Sequence, residues 1–238
     1  RNKVSGTRDG IYLEFTGNSV ITDNYCSENL RYGLHFMFSD NNKYHDNTFE
    51  RNGAGVAVMY SKYIEMHRNI FRKNWGSASY GLLLKEISDA ELKHNRFEDN
   101  TVAISADGTN RINYVENDFL GNGYGVKVRG GCYKNVFERN NFEYNAFDVG
   151  YSGSLNENRF SNNYWSEYRG YDLDKDGTGD VPFRPVKLFS YLVTQSPEAI
   201  VLLRSLFIDL VDFSEKVSPV FTPADLTDAN PQMKKNLW

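Results

Sequence analysis

Residues 47–60 read NTFERNGAGVAVMY, and this stretch decides the fold. Asn47, Phe49 and Asn52 form the pattern Asn-x-apolar-x-x-Asn, and Gly55 then opens an alternating run through Val56, Val58 and Met59. The first pattern recurs at Asn24/Cys26/Asn29, Asn69/Phe71/Asn74, Asn95/Phe97/Asn100, Asn117/Phe119/Asn122, Asn140/Phe142/Asn145 and Asn158/Phe160/Asn163. Its first Asn advances by 23, 22, 26, 22, 23 and 18 residues. The alternating run recurs in phase after Gly10, Gly33, Gly81 and Gly125. Alternation of this kind marks a half-buried strand. A fixed period near 22 with several short strands per copy marks a solenoid, because one copy cannot bury its apolar face alone. The Leu-x-x-Leu-x-Leu framework of leucine-rich repeats is absent.

The expectation is an all-β chain, a right-handed parallel β-helix over about residues 1–168, followed by a C-terminal helix and an extended arm. Phe49, Phe71, Phe97, Phe119, Phe142 and Phe160 are expected in one interior stack. The Asn residues are expected at coil corners, bonding the next coil and tolerating left-handed backbone. Asn2-Lys3-Val4 reads as the tail of an earlier copy, so the chain is expected to begin within a repeat. The 26-residue step carries an insertion, Trp75–Ser79, that should bulge from one corner.

Composition agrees. Of 26 Asn, 24 lie in residues 1–163, while all six Pro lie from Pro182 onward, so stacked strands give way to another regime. The balance of 27 Lys+Arg against 31 Asp+Glu argues against nucleic acid as the main partner. The most apolar stretch, 199–211, is interrupted by Arg204 and Asp209 and is too short to span a bilayer, which takes roughly 20 residues. Cys26 and Cys132 lie about five coils apart, beyond disulfide reach.

Residues 169–187 form a junction. In it Asp172, Asp174, Asp176, Thr178 and Asp180 space oxygen ligands as a calcium loop does, with Gly177 at the turn. Position twelve, normally Glu, is Phe183, and an Asp/Gly-rich turn without an ion has the same composition. Ser196-Pro197 reads as a helix start, with the helix running to about Val217. That helix is apolar around most of its circumference, so it either caps the open end of the solenoid or docks on a partner. Residues 218–238 read as an arm.

The junction Asn163-Tyr164-Trp165-Ser166-Glu167-Tyr168, the Asp172–Asp180 loop, Pro182-Phe183-Arg184-Pro185-Val186 and the segment SPVFTPADL from Ser218 resemble the NosD family. That resemblance implies a periplasmic, non-enzymatic protein. It implies work with an ABC transporter permease and ATPase, peripheral to the membrane through the permease. It further implies copper received from a copper chaperone and delivered for maturation of nitrous oxide reductase.

Within this frame the copper candidates are His35, Met37 and Met59. Met37 and Met59 each lie four residues after a Gly and face outward on adjacent coils, with His35 beside Met37. Leu34, Phe36 and Phe38 are expected to face inward. Thioether and imidazole ligands suit transient Cu(I) binding, although outward Met on a sheet also simply covers apolar neighbours. His45 and His67 form a second stacked pair, equally readable as two surface His. Partner docking is expected at Leu203, Phe207, Leu210, Phe221 and Trp238. The rival reading is a β-helix polysaccharide lyase or epimerase, or a sugar-binding protein, with Lys85, Glu86, Asp107, Lys127 and Arg129 on one outward face. The Asp-Pro-His-Asp motif of alginate epimerases is absent.

Overall fold

The computed structural model describes residues 1–76, 78–152, 157–202, 205–217 and 226–238. Residues 3–165 wind into a right-handed parallel β-solenoid of about seven turns. Each turn lays one strand in each of three parallel sheets, of eight, seven and seven strands. In one turn, Thr48–Glu50 joins the first sheet, Ala54–Met59 the second and Glu65–His67 the third.

The motif Asn-x-apolar-x-x-Asn brackets each first-sheet strand. Its two Asn belong to two separate ladders. The Oδ1 of Asn47 accepts the backbone N–H and the Nδ2–H of Asn24, at 3.0 and 2.9 Å. The same pairing repeats through Asn69, Asn95, Asn117 and Asn140. The second ladder runs through Asn29, Asn52, Asn74, Asn100, Asn122 and Asn145. These buried amides supply hydrogen bonds to corner backbone that would otherwise be orphaned. The left-handed residue is not the Asn but the one before it, as at Asp46 (φ 59°) and Arg51 (φ 52°). A non-Gly residue there costs roughly 1–2 kcal/mol, and the ladder bonds hold it in place. Gly is required where coils approach most closely: a Cβ on Gly33 would come within 2.8 Å of the Gly55 carbonyl oxygen.

The interior carries the expected Phe column with one change. Phe49, Phe71, Phe97, Phe119 and Phe142 stack with ring centroids 4.6–5.4 Å apart. Phe160 is not in this column; Trp165 takes the place, stacked on Phe142 at 4.3 Å. Phe160 lies in the third sheet, on Phe137 at 4.5 Å. The last repeat is therefore out of phase. Asn140 stacks on Asn163, a step of 23, and Asn158 continues a third, partial ladder from Asn135. Phe38 is also corrected. It sits outside at a left-handed corner (φ 50°), stacked between Phe15 and Tyr60. Cys26 and Cys132 are buried free thiols, and burial pushes the Cys26 thiol up to about 11.

Beyond the solenoid the helix expected from Pro197 to Val217 is a 3-10 segment (Pro197–Leu202) and an α-helix, α2 (Leu206–Val217), and an unexpected helix, α1 (Leu188–Gln195), precedes them. Ser196 ends α1, its N–H reaching the Leu192 carbonyl, and also opens the 3-10 segment, its carbonyl accepting the Ala199 N–H at 2.9 Å. Phe189, Val193 and Ile208 bury against Phe147, so this small helical unit covers the end of the second sheet. At the same junction Asp148 is buried where earlier coils carry Gly125 or Ala103, held by Asn145 Nδ2 at 3.0 Å. No helix among the described residues is long and apolar enough to cross a membrane.

The arm is not extended away from the body. Residues 226–238 run back along the solenoid. Asp228, fully buried, ends the first Asn ladder: its Oδ2 accepts from Asn163 N (3.0 Å), Asn163 Nδ2 (2.9 Å) and Trp165 Nε1 (3.0 Å). Asn236 and Asn141 bond reciprocally, Lys235 pairs with Glu143, and Trp238 stacks near His94.

Candidate functional site

On the outer face of the second sheet the solenoid places Met37 and Met59 in register. Glu14 continues their column on one side, and Lys85 and then Asp107 on the other. His35 lies two residues before Met37 on the same face, opposite the small Ala57. It is 8% exposed, between the rings of Tyr12 (5.1 Å) and Tyr32 (4.8 Å), and its buried Nε2 has no hydrogen-bond partner among the described residues. Burial lowers the His35 imidazole below its ordinary value, with Asp9 and Glu14 acting against that and Arg31 adding to it. A neutral imidazole offers a lone pair, and an unpaired buried nitrogen is costly unless something is bound to it. Two thioethers and one imidazole are a soft donor set that suits Cu(I). The face thus brings together His35, Met37 and Met59. The Glu14–Lys85 frame around them is readable only once strand register is known.

His45 and His67 are also in register, but on the third sheet. Each is engaged by its surroundings. His45 Nδ1 lies 2.9 Å from Asp46 Oδ2 and 3.1 Å from Thr22 Oγ1, and His67 Nε2 lies 2.9 Å from Glu91 Oε1. The Arg68 guanidinium beside Asp46 holds that carboxyl down to about 2, with His45 adding to the effect against desolvation. Thr22 and Lys93 flank the pair, so a cation there would compete with an ammonium and with existing carboxylate contacts.

In the junction loop Asp172, Asp174 and Asp176 converge, their carboxylate oxygens within 4.8 Å of one another. The Asp176 N–H pulls the Asp174 carboxyl down, but the Asp176 carboxylate, desolvation, the Asp172 side chain and Asp180 together outweigh it, leaving Asp174 above its ordinary value. Asp180 is not part of this carboxylate cluster, whereas Thr178 stays against it, its N–H donating to Asp176 Oδ1 at 2.7 Å. The Asp180 carboxylate accepts the Leu173 N–H at 2.7 Å, and Thr178 bridges to Gln232. Local spacing placed all five on one loop, and of its carboxylates those of Asp172, Asp174 and Asp176 converge.

Of the expected docking residues, Phe207 and Leu210 are exposed on α2, as are Leu206 and Phe213 of the same helix. Trp238 instead lies against the chain's own His94. Leu203 and Phe221 lie outside the described residues. Among the residues of the rival reading, Lys85 and Asp107 are in register, while Lys127 is partly desolvated over the Tyr124 ring at 4.9 Å.

Comparison with known proteins agrees with this architecture. Residues 1–170 match the family model described as NosD, periplasmic copper-binding protein. A probable ABC transporter binding protein NosD from Pseudomonas aeruginosa is 31% identical over 173 residues, covering 66% of this chain and 40% of that protein. A protein of the same description from Stutzerimonas stutzeri is 28% identical over 127 residues, covering 52% and 29%. The chain thus spans well under half the length of these relatives. Among solved structures, the A-module of a mannuronan C-5 epimerase from Azotobacter vinelandii superposes with a TM-score of 0.55 at 16% identity, covering 66% of this chain and 53% of that one. A variant of a periplasmic alginate epimerase superposes at 0.54 with 17% identity, covering 72% and 39%. At such identities the structural likeness shows the shared β-helix and nothing more. With its family match spanning the whole solenoid, the chain belongs to the NosD family of periplasmic copper-binding proteins.

Proposed function

We propose that the chain is a non-enzymatic copper relay in the periplasm. It receives copper from a copper chaperone, works with an ABC transporter permease and ATPase, and delivers the metal for maturation of nitrous oxide reductase. The observation that carries this reading is the in-register Met37–Met59 pair beside the buried, unpaired His35 Nε2. The cargo is Cu(I), because thioethers and neutral imidazole favour it. No thiolate lies in the set, so binding is weak enough for hand-over. His45 and His67 are a second, weaker station because each is already held by a carboxylate.

Docking to the permease falls to the apolar face of α2, where Phe207 and Leu210 project into solvent. The strap at 226–238 lies along the solenoid, and its exposed end at Leu237 and Trp238 is a secondary docking candidate. The Asp172–Asp174–Asp176 cluster is proposed as a Ca²⁺ site that stiffens the junction between solenoid and helices.

The test is Cu(I) titration of wild type against Met37→Ala/Met59→Ala and His35→Ala, with a competing chelator. Loss of at least tenfold in affinity in both variants, with unchanged melting, is expected. Wild-type Cu(I) affinity in the double Met variant, together with normal copper loading of the reductase, removes the site from this face. Separately, Phe207→Ser/Leu210→Ser should leave the melting temperature intact and abolish co-purification with the permease.

A further inference from the structure

Two structural demands meet at two corners of the second Asn ladder. The ladder needs an amide side chain there, and the chain then leaves the corner against the carbonyls of the preceding coil. A Cβ on Gly53 would run into the Leu30 carbonyl oxygen, and one on Gly123 into that of Thr101. At these corners the coil admits only Gly after the ladder Asn, and Asn52-Gly53 and Asn122-Gly123 are the two Asn-Gly pairs of the sequence. In such a pair the following amide nitrogen is unhindered by a side chain and its backbone turns freely, so it readily attacks the Asn side chain once the chain is loose.

The folded coil holds every group of that reaction. Asn52 is 3% exposed. Its Oδ1 accepts the Asn29 N–H at 3.1 Å and the Asn29 Nδ2–H at 2.9 Å. Its Nδ2 donates to the Cys26 carbonyl at 3.0 Å and to Asn74 Oδ1 at 3.5 Å. The Gly53 N–H donates to the Asn29 carbonyl at 3.0 Å. Asn122 is held alike, its Nδ2 donating to the Phe97 carbonyl and to Asn145 Oδ1, each at 3.0 Å. The side-chain rung from Asn52 to Asn74 is the longest of this ladder, at the outer limit of a hydrogen bond. It lies where the insertion begins, at Trp75, which is 59% exposed.

We infer that Asn52-Gly53 is a site of spontaneous deamidation gated by opening of the Asn ladder. In the opened coil the Gly53 amide nitrogen attacks Asn52 Cγ. The N–Cγ bond forms, the Cγ–Nδ2 bond breaks, and ammonia leaves with the amide proton. Water, the only co-reactant, then opens the cyclic imide at either carbonyl to leave aspartate or isoaspartate. The product cannot rebuild the rung: a carboxylate still accepts from Asn29 but has no hydrogen to give the Cys26 carbonyl or Asn74 Oδ1. Asp228 shows where a carboxylate is tolerated, at the end of the first ladder, where three donors face it. In mid-ladder it leaves buried acceptors facing an anion. An opened coil is thus marked irreversibly, at the start of the strand that carries Met59.

The experiment incubates the full chain at mildly alkaline pH, in native buffer and in urea, and follows amide-to-acid conversion by peptide mass spectrometry. In urea Asn52 and Asn122 are expected to react at rates within about threefold of each other. In native buffer both are expected to slow by at least about a hundredfold, with Asn52 ahead of Asn122. Asn74→Ala removes the rung above Asn52 and is expected to speed its native reaction at least tenfold while leaving the urea rate unchanged. Hydrogen exchange at Gly53 N in wild type supplies a check that needs no variant, should Asn74→Ala fail to fold. The native rate at Asn52 should equal the urea rate multiplied by the open fraction that exchange reports, within about tenfold. The inference is overturned if Asn52 is silent in urea, or if it reacts in native buffer as fast as in urea. It is equally overturned if Asn122 reacts first in the native chain, if a folded Asn74→Ala reacts at the wild-type rate, or if the native rate departs further than that from the exchange value in either direction.

Discussion

Asp228→Ala should unravel the C-terminal end of the solenoid while leaving its other end untouched. In wild type the Asp228 Oδ2 accepts three donors, Asn163 N, Asn163 Nδ2 and Trp165 Nε1, all at 2.9–3.0 Å in a fully buried position. Each orphaned buried donor costs about 1–3 kcal/mol. Removing the carboxylate also removes the cost of burying it. The expected net loss is therefore about 3 kcal/mol rather than the full sum. A solenoid is quasi-one-dimensional, so the loss should stay within the last coil and the strap. Native-state hydrogen exchange resolves this, because it reads local opening where one global unfolding free energy is ill-defined for a repeat array. Protection should fall about a hundredfold at Tyr164 N and Gln232 N, which donate to the Asn140 and Asn163 carbonyls. It should stay within twofold at Ile70 N, which donates to Asn47 O. Asp228→Asn supplies the carbonyl that a further ladder Asn would supply, so it should lose only about 1 kcal/mol. Protection at Tyr164 and Gln232 within threefold of wild type in the Ala variant would refute the capping argument. So would an Asn variant that is worse than Ala.

Phe97→Ala removes a buried ring held between Phe71 (4.6 Å) and Phe119 (5.1 Å) and should cost about 3–5 kcal/mol, read as lost hydrogen-exchange protection at Arg96 N and Asp118 N. A loss under 1 kcal/mol would mean the column is not a packed stack. Asp148 is pushed up to about 6 by burial, against the Asn145 bond and Lys187, so its neutral form is the one the fold favours. Its contribution is fully present below about pH 4 and lost as pH rises through about 6. Asp148→Asn should therefore gain on wild type between pH 4 and 7, by up to about 3 kcal/mol; a pH-independent difference contradicts this. Millimolar Ca²⁺ should raise the melting temperature, and Asp174→Asn should cancel the rise. An unchanged wild-type melt leaves the loop as a turn.

What could be read from the sequence was whatever repeats. A parallel solenoid turns period into position, so Phe49, Phe71, Phe97, Phe119 and Phe142 fall in one column, and Met37 and Met59 become neighbours. Alternation about Gly33 was enough to put His35 and Met37 on the outer face. The same motif misled at its last appearance. Asn158 and Asn163 both satisfy the pattern locally, and only pairing with Asn135 and Asn140 settles which ladder each joins.

Everything that depends on distant partners was decided by the tertiary structure. Nothing near Asp228 marks it as the final rung of a ladder of Asn, because its donors lie 63 and 65 residues earlier. The carboxylate that holds His67 comes from the next coil, and the bridge from Thr178 to Gln232 of the strap spans residues that the loop's own spacing does not connect. Periodic contacts are encoded once per turn and can be counted along the chain. Capping, cavities and the pairing of single polar groups arise only where non-repeating segments meet the coil, and there the free energy belongs to both partners at once.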